Sequence, residues 1–131
     1  MRPESAARFL VTAFFAVVFL QSAADKVLDR EGNLGFLREH FKSSPIPAEL
    51  VPLLFWSLTA LESLAGVLCG LGILFTDFSR NGSSLAAWGV FVAGLALVSL
   101  LAGQRLAKDY AGAAVIAAYF AVAVIGLRLF G

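Results

Sequence analysis

The sequence predicts an all-α, polytopic membrane protein: an antiparallel bundle of four transmembrane helices, with a short amphipathic helix in the first loop. Three observations predict this fold. The chain of 131 residues is 60% hydrophobic and only 15% charged, whereas soluble domains are nearer half apolar and a quarter charged. Its mean hydropathy is +0.85, and a soluble domain this small could not cover so much apolar surface. Four apolar runs alternate with three polar interruptions.

The first apolar run extends from Phe9 to Ala24 and follows Arg2 and Arg8. A spanning helix needs about 20 apolar residues, and this run reaches that length by including flanking residues whose charges extend to the interface. The alternative is a secretory signal peptide with Ser22-Ala23-Ala24 as the cleavage site. Cleavage would leave three helices.

The polar interruption from Asp25 to Leu50 is the longest in the chain. Within it, Leu34, Leu37 and Phe41 recur at helical spacing, and Asn33 is a candidate cap for a short helix. An amphipathic helix of this kind lies on the membrane surface or folds over the mouth of the bundle. A plain surface loop is the alternative.

The other apolar runs are Val51 to Phe75, Leu85 to Leu101 and Ala111 to Leu127. Asn81-Gly82 marks a turn between the first two of them. Gly103 can end the third helix, which makes the third and fourth helices adjacent and antiparallel. We therefore predict a single domain, residues 1–131, with helices at about 5–28, 50–76, 83–103 and 106–128.

The charge of the chain argues against nucleic acid as a partner but does not determine the orientation of the chain in the membrane. A net charge of +1 gives no clustered basic face for nucleic acid. Lys and Arg are slightly more frequent around the first and third loops, but this excess disappears if Lys26 and Arg105 belong to a site, so charge does not fix the orientation. We expect a bacterial cytoplasmic (inner) membrane, with both termini in the cytoplasm.

Glu62 is the most informative residue because it lies about midway along the second predicted span. A charge at that depth costs a few kcal/mol or more unless it is protonated or paired, so it faces the bundle interior. Glu62, Gly66 and Gly70 recur every fourth residue and share one face. Gly66-x-x-x-Gly70 is a close-packing motif, and both glycines are predicted to pack helices. The alternative role for Glu62 is a structural hydrogen bond to a neighbouring helix.

An up-down bundle brings the end of its first helix, the start of its second, the end of its third and the start of its fourth to one side. Polar residues occur at each of these places except the second, with Glu62 deeper in the bundle. Arg105 and Asp109 are also spaced for an i,i+4 ion pair on the last helix. Charges that simply reach the interface are the alternative for this upper ring. The predicted ligand-binding residues are Gln21, Asp25, Lys26, Glu62, Arg105, Asp109 and Tyr110.

Metal and redox-cofactor chemistry has little support in the sequence. His40 is the only histidine and Cys69 the only cysteine, so no metal-ligand spacing or Cys-x-x-Cys pair occurs. His40 could transfer protons, although a surface histidine is the more ordinary role. We expect no metal and no bound haem, flavin or iron–sulfur cluster, with a quinone as the possible ligand.

The chain resembles the DoxX-like family of small four-helix membrane proteins. The resemblance rests on the segment from Phe19 to Lys26, on the segment from Leu61 to Gly72 and on the Ala-rich last run. It implies that Lys26 and Glu62 correspond to recurrent polar positions of the family, as do Arg105 and Asp109. The family includes a subunit of an archaeal thiosulfate:quinone oxidoreductase and relatives of a receptor-assembly chaperone. The Cys pair of its methylamine-utilisation branch is missing, which argues against a thiol relay.

Two functions follow as hypotheses. The first is an accessory subunit of a membrane redox system that binds a quinone or similar lipophilic ligand in a polar pocket within the bundle. Lys26 or Arg105 would donate to a quinone carbonyl, and Glu62 would exchange protons. The second is a non-catalytic assembly or scaffold protein that docks partner transmembrane helices. The expected partners are the lipid bilayer and either a membrane redox protein or further copies of the chain. Catalysis by the chain alone is not expected, and small-solute transport is a weaker third hypothesis.

Overall fold

In a computed structural model, which describes residues 2–131, helices joined by short connections account for nearly the whole chain. Four helices are long and apolar enough to cross a membrane, which confirms the predicted number of spans and an integral membrane protein. These four pack as an up-down bundle, and a short helix follows the first of them. The helices are α1 (Pro3–Leu28), α2 (Arg30–His40), α3 (Val51–Phe75), α4 (Leu85–Leu106) and α5 (Tyr110–Leu129), and a 3-10 turn (Ala48–Leu50) precedes α3.

The helix α3 is the centre of the bundle, because it packs against both α1 and α4, while α5 packs mainly against α4. The helix α4 contributes the largest share of the buried core, chiefly alanine and valine side chains, and α1 contributes Phe15 and Phe19. Within α5, all of which the structure describes, the buried residues are Ala113, Ala123 and Gly126. The last helix therefore has most of its surface facing outward.

Glycines allow the closest helix contacts. A Cβ atom on Gly66 would lie 2.9 Å from the backbone N of Leu20 in α1, whereas one on Gly70 would lie 3.6 Å from the Leu20 side chain. A Cβ on Gly72 would lie 2.7 Å from the Ala86 Cα in α4. Of the predicted packing pair, Gly66 is thus at a very close backbone contact, and Gly70 is at an ordinary one.

The short helix α2 follows α1 after one residue, Asp29, whose backbone (φ −126°, ψ 54°) breaks the helix. The Asp29 side chain accepts a hydrogen bond from the Gly32 N–H, so Asp29 is the cap, and the prediction of Asn33 was wrong. Asn33 instead donates to the Asp25 and Asp29 carbonyls. Because α2 contacts α3, it folds over the bundle mouth, one of the two placements that the sequence allowed.

The turn between α4 and α5 differs from its prediction. Gly103 does not end the helix, which continues to Leu106. Lys108 then takes a positive φ of 62°, and Asp109 caps α5 by accepting from the Gly112 N–H at 2.9 Å. Arg105 and Asp109 therefore belong to different helices, and the predicted i,i+4 pair between them was wrong, because a two-residue turn separates them.

The opposite end of the bundle is fastened by Arg8, which is 3% exposed. Its guanidinium donates to the Leu129 carbonyl at 2.6 Å, to the Phe78 carbonyl at 2.8 Å and to the Asn81 side chain. These contacts join the first turns of α1 to the α3–α4 connection and to the end of α5. A residue that the sequence places in a basic flank thus lies inside the bundle.

Candidate functional site

A cavity of about 420 Å³ lies where the end of α1 meets α2, α3 and the end of α4. Most of its lining is apolar and comes from leucine, isoleucine and phenylalanine side chains. Its polar lining residues come from all four of these helices: Lys26, Asn33, His40, Ser57, Ser99 and Gln104. This is the side of the bundle at which the sequence predicts that polar residues converge.

Glu62 is buried beside this cavity with a relative exposure of 1%. The Ser22 hydroxyl on α1 donates to its Oε2, and Lys26 Nζ lies 3.1 Å from Oε1 and 3.4 Å from Oε2. The ammonium is out of line for a hydrogen bond to Oε1, so this oxygen has an ion-pair partner but no hydrogen-bond donor among the described residues. The carboxylate is directed inward, as its position in the span predicts, and α1 neutralises it.

Lys26 extends inward rather than out to the interface. Helical side chains point towards the N-terminus of their helix, so Lys26 reaches back along α1 and donates to Ser22 Oγ at 2.8 Å. Its side chain is only 15% exposed. An ammonium has three donors, and Ser22 and Glu62 use two of them. Lys26 also lines the cavity, and the third N–H of its ammonium has no hydrogen-bond acceptor among the described residues.

His40, the last residue of α2, joins this helix to the α4–α5 turn. Its Nε2 lies 3.2 Å from Asp109 Oδ2, and its ring stacks on Phe36 with centroids 5.3 Å apart. The pKa of Asp109 is lowered, chiefly by the hydrogen bond that it accepts from the Gly112 N–H and, to a smaller extent, by that from His40. The carboxylate therefore stays ionised and orients the imidazole at the edge of the cavity.

Two residues that line the cavity each have a fully buried polar atom without a hydrogen-bond partner among residues 2–131: His40 Nδ1 and Gln104 Oε1. Buried polar atoms are nearly always hydrogen-bonded in folded proteins. Because neither atom has surface open to the cavity, a ligand in the cavity would contact other atoms of these two residues.

The seven predicted ligand-binding residues are not all at this cavity. Lys26 lines it, with Glu62 directly behind, and Asp109 touches it through His40. Gln21 and Asp25 are exposed on α1. Arg105 and Tyr110 are also exposed, and they contact each other, with the guanidinium 4.8 Å from the ring centroid. The role of these residues in ligand binding remains a prediction.

Most polar residues at the site are absent from the predicted ligand-binding set, among them Ser22, His40 and Gln104. Ser22 lies four residues before Lys26, which places both on one face of α1, and this spacing was an available signal. His40 and Gln104 meet only because α2 folds back over the bundle, which periodicity alone does not determine.

Comparison with known proteins identifies no relative: no protein family, curated protein or solved structure matches the chain. The chemistry of the site therefore rests on its geometry. A mainly apolar cavity whose lining includes Lys26 and a few other polar side chains is suited to a lipophilic molecule with a small polar headgroup.

Proposed function

We propose that this membrane protein binds a quinone or a similar lipophilic ligand in the cavity beneath α2, as an accessory subunit of a membrane redox system. The observation that carries the proposal is the cavity itself, which has a volume of about 420 Å³ and a mainly apolar lining that includes the polar residues Lys26, His40 and Gln104. Small-molecule sites typically have volumes of roughly 300–1,000 Å³ and a few fixed polar groups.

Each part of the cavity has a task in this proposal. The apolar side chains of α2, α3 and α4 would surround the ring and the start of a hydrocarbon tail. Lys26 would donate its remaining N–H to a headgroup oxygen. Glu62 is absent from the lining and is paired with Lys26 at 3.1 Å, so it would act on the ligand through Lys26 and not by direct proton exchange.

The motifs around Lys26 and Glu62 resemble those of the DoxX-like family, and this resemblance is the reason for proposing a quinone over other amphiphiles. Electrons would come from a partner subunit, because nothing in the described residues suggests a site for haem, flavin or a cluster. The chain would then supply the binding site and its electrostatics, and the partner would supply the redox centre.

A second candidate function, helix docking, is favoured by the outer surface of α5. Small side chains on this helix remain exposed, among them Ala114, Ala117 and Ala121. Small residues let transmembrane helices approach closely. In this alternative, α5 would hold a partner span, and the cavity would be a secondary feature.

The proposed function is tested by mass spectrometry of organic extracts from freshly purified protein. We expect a quinone-like lipid in wild-type extracts and much less of it after Ser57→Phe, which places a large side chain in the cavity without removing a charge. Lys42→Phe, at an exposed position beyond α2, is the matched control and should keep the lipid. Extracts free of any quinone-like lipid would overturn the proposal.

The docking alternative predicts that partner binding depends on the outer surface of α5 and not on the cavity. Ala117→Phe should reduce co-purification of a membrane partner and leave the lipid content unchanged, whereas Ser57→Phe should leave the partner bound. A partner that is lost only in Ser57→Phe would assign partner binding to the cavity side instead.

A further inference from the structure

We infer that Glu62 makes the cavity selective for ligands with an uncharged headgroup, because it neutralises the ammonium of Lys26, and that acidic amphiphiles such as fatty acids are thereby excluded. The inference rests on the proposed function and deepens it, since it specifies the charge of the headgroup and the residue that determines it. It depends on how each charge at the cavity is balanced.

Among the described residues that line the cavity, Lys26 is the one Lys, Arg, Asp or Glu residue. Its side chain is 15% exposed, and its Nζ lies 3.1 Å from Glu62 Oε1 and 3.4 Å from Glu62 Oε2. Glu62 is 1% exposed and does not line the cavity. A ligand in the cavity is therefore adjacent to the cation of this pair, while the anion that balances it lies behind.

The other polar residues at the cavity add no net positive charge. Apart from His40, those in the described lining have neutral side chains: Asn33, Ser57, Ser99 and Gln104. The His40 Nε2 lies 3.2 Å from Asp109 Oδ2, and the lowered pKa of Asp109 keeps this carboxylate ionised near neutral pH. Together, His40 and Asp109 are neutral when the imidazole is protonated and negative when it is not. In neither state does this pair supply a net cation for an acidic headgroup.

An acidic headgroup is unfavourable in this cavity for two reasons. It would lose its water to a mainly apolar lining, which is far more costly for an ion than for a carbonyl or hydroxyl group. It would also be repelled by Glu62. With the ammonium between them, the two anions would be at roughly twice the distance that separates each from Lys26, so the repulsion cancels about half of the attraction. An uncharged headgroup oxygen is cheaper to dehydrate and experiences no such repulsion.

The balance of charge at Lys26 matters because a bilayer contains anionic lipids as well as neutral ones. Their hydrocarbon chains are chemically alike, so an apolar lining does not distinguish between them. The charge of the headgroup is the property by which the site can discriminate. Glu62 thus sets the specificity of the cavity through Lys26, without contacting the ligand.

The test compares two probes that share one hydrocarbon chain and differ in the charge of the headgroup, decanol and decanesulfonate. A sulfonate takes up no proton in a micelle, so its charge is fixed. Dissociation constants are measured by calorimetry on detergent-purified, delipidated protein near neutral pH. The wild-type protein should bind decanol at least about tenfold more tightly than decanesulfonate, because burial of an ion without a free counter-ion is costly.

Glu62→Gln removes the balancing charge and keeps the size of the side chain. The affinity for decanesulfonate should rise by about tenfold or more, while the affinity for decanol stays nearly the same. Loss of a merely structural contact would weaken the binding of both probes, so a gain for the anionic probe alone identifies charge balance as the role of Glu62. Glu39→Gln is the matched control, because this exposed carboxylate of α2 lies outside the cavity lining. It should leave both dissociation constants unchanged.

Decylubiquinone, as a third probe, separates the failure of this inference from that of the proposed function. If wild type binds decylubiquinone but binds decanesulfonate as tightly as decanol, the inference is overturned and the proposed function stands. The same holds if Glu62→Gln leaves the affinity for decanesulfonate unchanged. If decanol is preferred and decylubiquinone does not bind, the proposed quinone is wrong and the selection for a neutral headgroup stands. If none of the three probes binds saturably, both are overturned. The wild-type comparison needs no variant, so it stays decisive even if Glu62→Gln prevents folding.

Discussion

The Glu62 carboxylate is stabilised by two groups from one turn of α1, Ser22 and Lys26. Removal of one partner of a buried ion pair is far more costly than removal of both, because the remaining charge has neither water nor a counter-ion. In the middle of a bilayer this asymmetry should be pronounced. The pair is therefore expected to behave as a unit when it is mutated.

Lys26→Met should destabilise the protein by about 3–5 kcal/mol, because Glu62 is left buried beside a methionine. The double variant Lys26→Met/Glu62→Leu should recover most of that loss. The free energy of unfolding of the single and the double variant can be measured with denaturant in mixed micelles, with exposed Lys42→Met as the control. A double variant that is as unstable as the sum of the two single variants would argue that the residues do not interact.

The capping carboxylate of α5 predicts a pH dependence. Because the pKa of Asp109 in the folded protein is lowered from its ordinary value of 3.8, its bonds to Gly112 and His40 stabilise the protein fully above that value. This stabilisation is lost as the pH falls through the lowered pKa. The melting temperature of wild type should exceed that of Asp109→Asn near neutral pH, and the gap should close in acid. A gap that is constant down to the lowest pH would contradict this assignment.

The direction in which a residue faces could be predicted from the sequence where its depth in the membrane determines its environment. Glu62 lies in the middle of an apolar span, so its inward direction followed from the cost of an exposed charge in lipid. His40 and Gln104 could not be recognised in the same way. Both are near the membrane surface, where a polar residue has no strong energetic reason to face one way.

At the level of helices, the packing of α1 against α3 depends on a single glycine of the predicted pair. Gly66→Ala would push a methyl group against the backbone N of Leu20, at 2.9 Å. Gly70→Ala would meet only a leucine methyl group at 3.6 Å, which is an ordinary contact. The spacing of the two glycines is the same, but their environments differ.

We therefore expect Gly66→Ala to destabilise the protein by about 1–3 kcal/mol through overpacking. Gly70→Ala should be neutral or stabilising by up to about 1 kcal/mol, since alanine favours the helix. Thermal unfolding of the two variants in the same detergent measures the difference. Equal effects of both substitutions would show that helix propensity dominates over the contact with α1.

Helix boundaries lie closest to their predicted positions where a polar segment follows or precedes the apolar run, as at the ends of α1 and α3. The start of α3 and the end of α5 lie close to the predicted positions because the apolar runs stop there. The end of α4 was misjudged because Gly103 lies within the helix, against Phe41 of the α2 end. The helix continues past Gly103, next to a residue that is distant in sequence. Such a contact between distant elements cannot be predicted from the local sequence.

For the molecule as a whole, the bundle has a polar anchor at each end. Arg8 joins the start of α1 to the α3–α4 connection and to the end of α5, and Lys26 with Glu62 joins α1 to α3 beside the cavity. The two anchors are 18 residues apart along one helix, or about 27 Å at 1.5 Å per residue. They should therefore contribute to stability independently.

Arg8→Leu should cost about 2–5 kcal/mol, because it removes charged donors from the Leu129 and Phe78 carbonyls. It should also increase hydrogen exchange at the end of α5, the most outward-facing helix. Since the cavity is at the other end, the lipid content of the purified protein should not change. Arg2→Leu, at an exposed position of the same basic flank, is the control and should change neither the stability nor the hydrogen exchange of α5. If Arg8→Leu removed the lipid, a change at the Arg8 end would have altered the cavity at the other end. The two anchors would then not be independent.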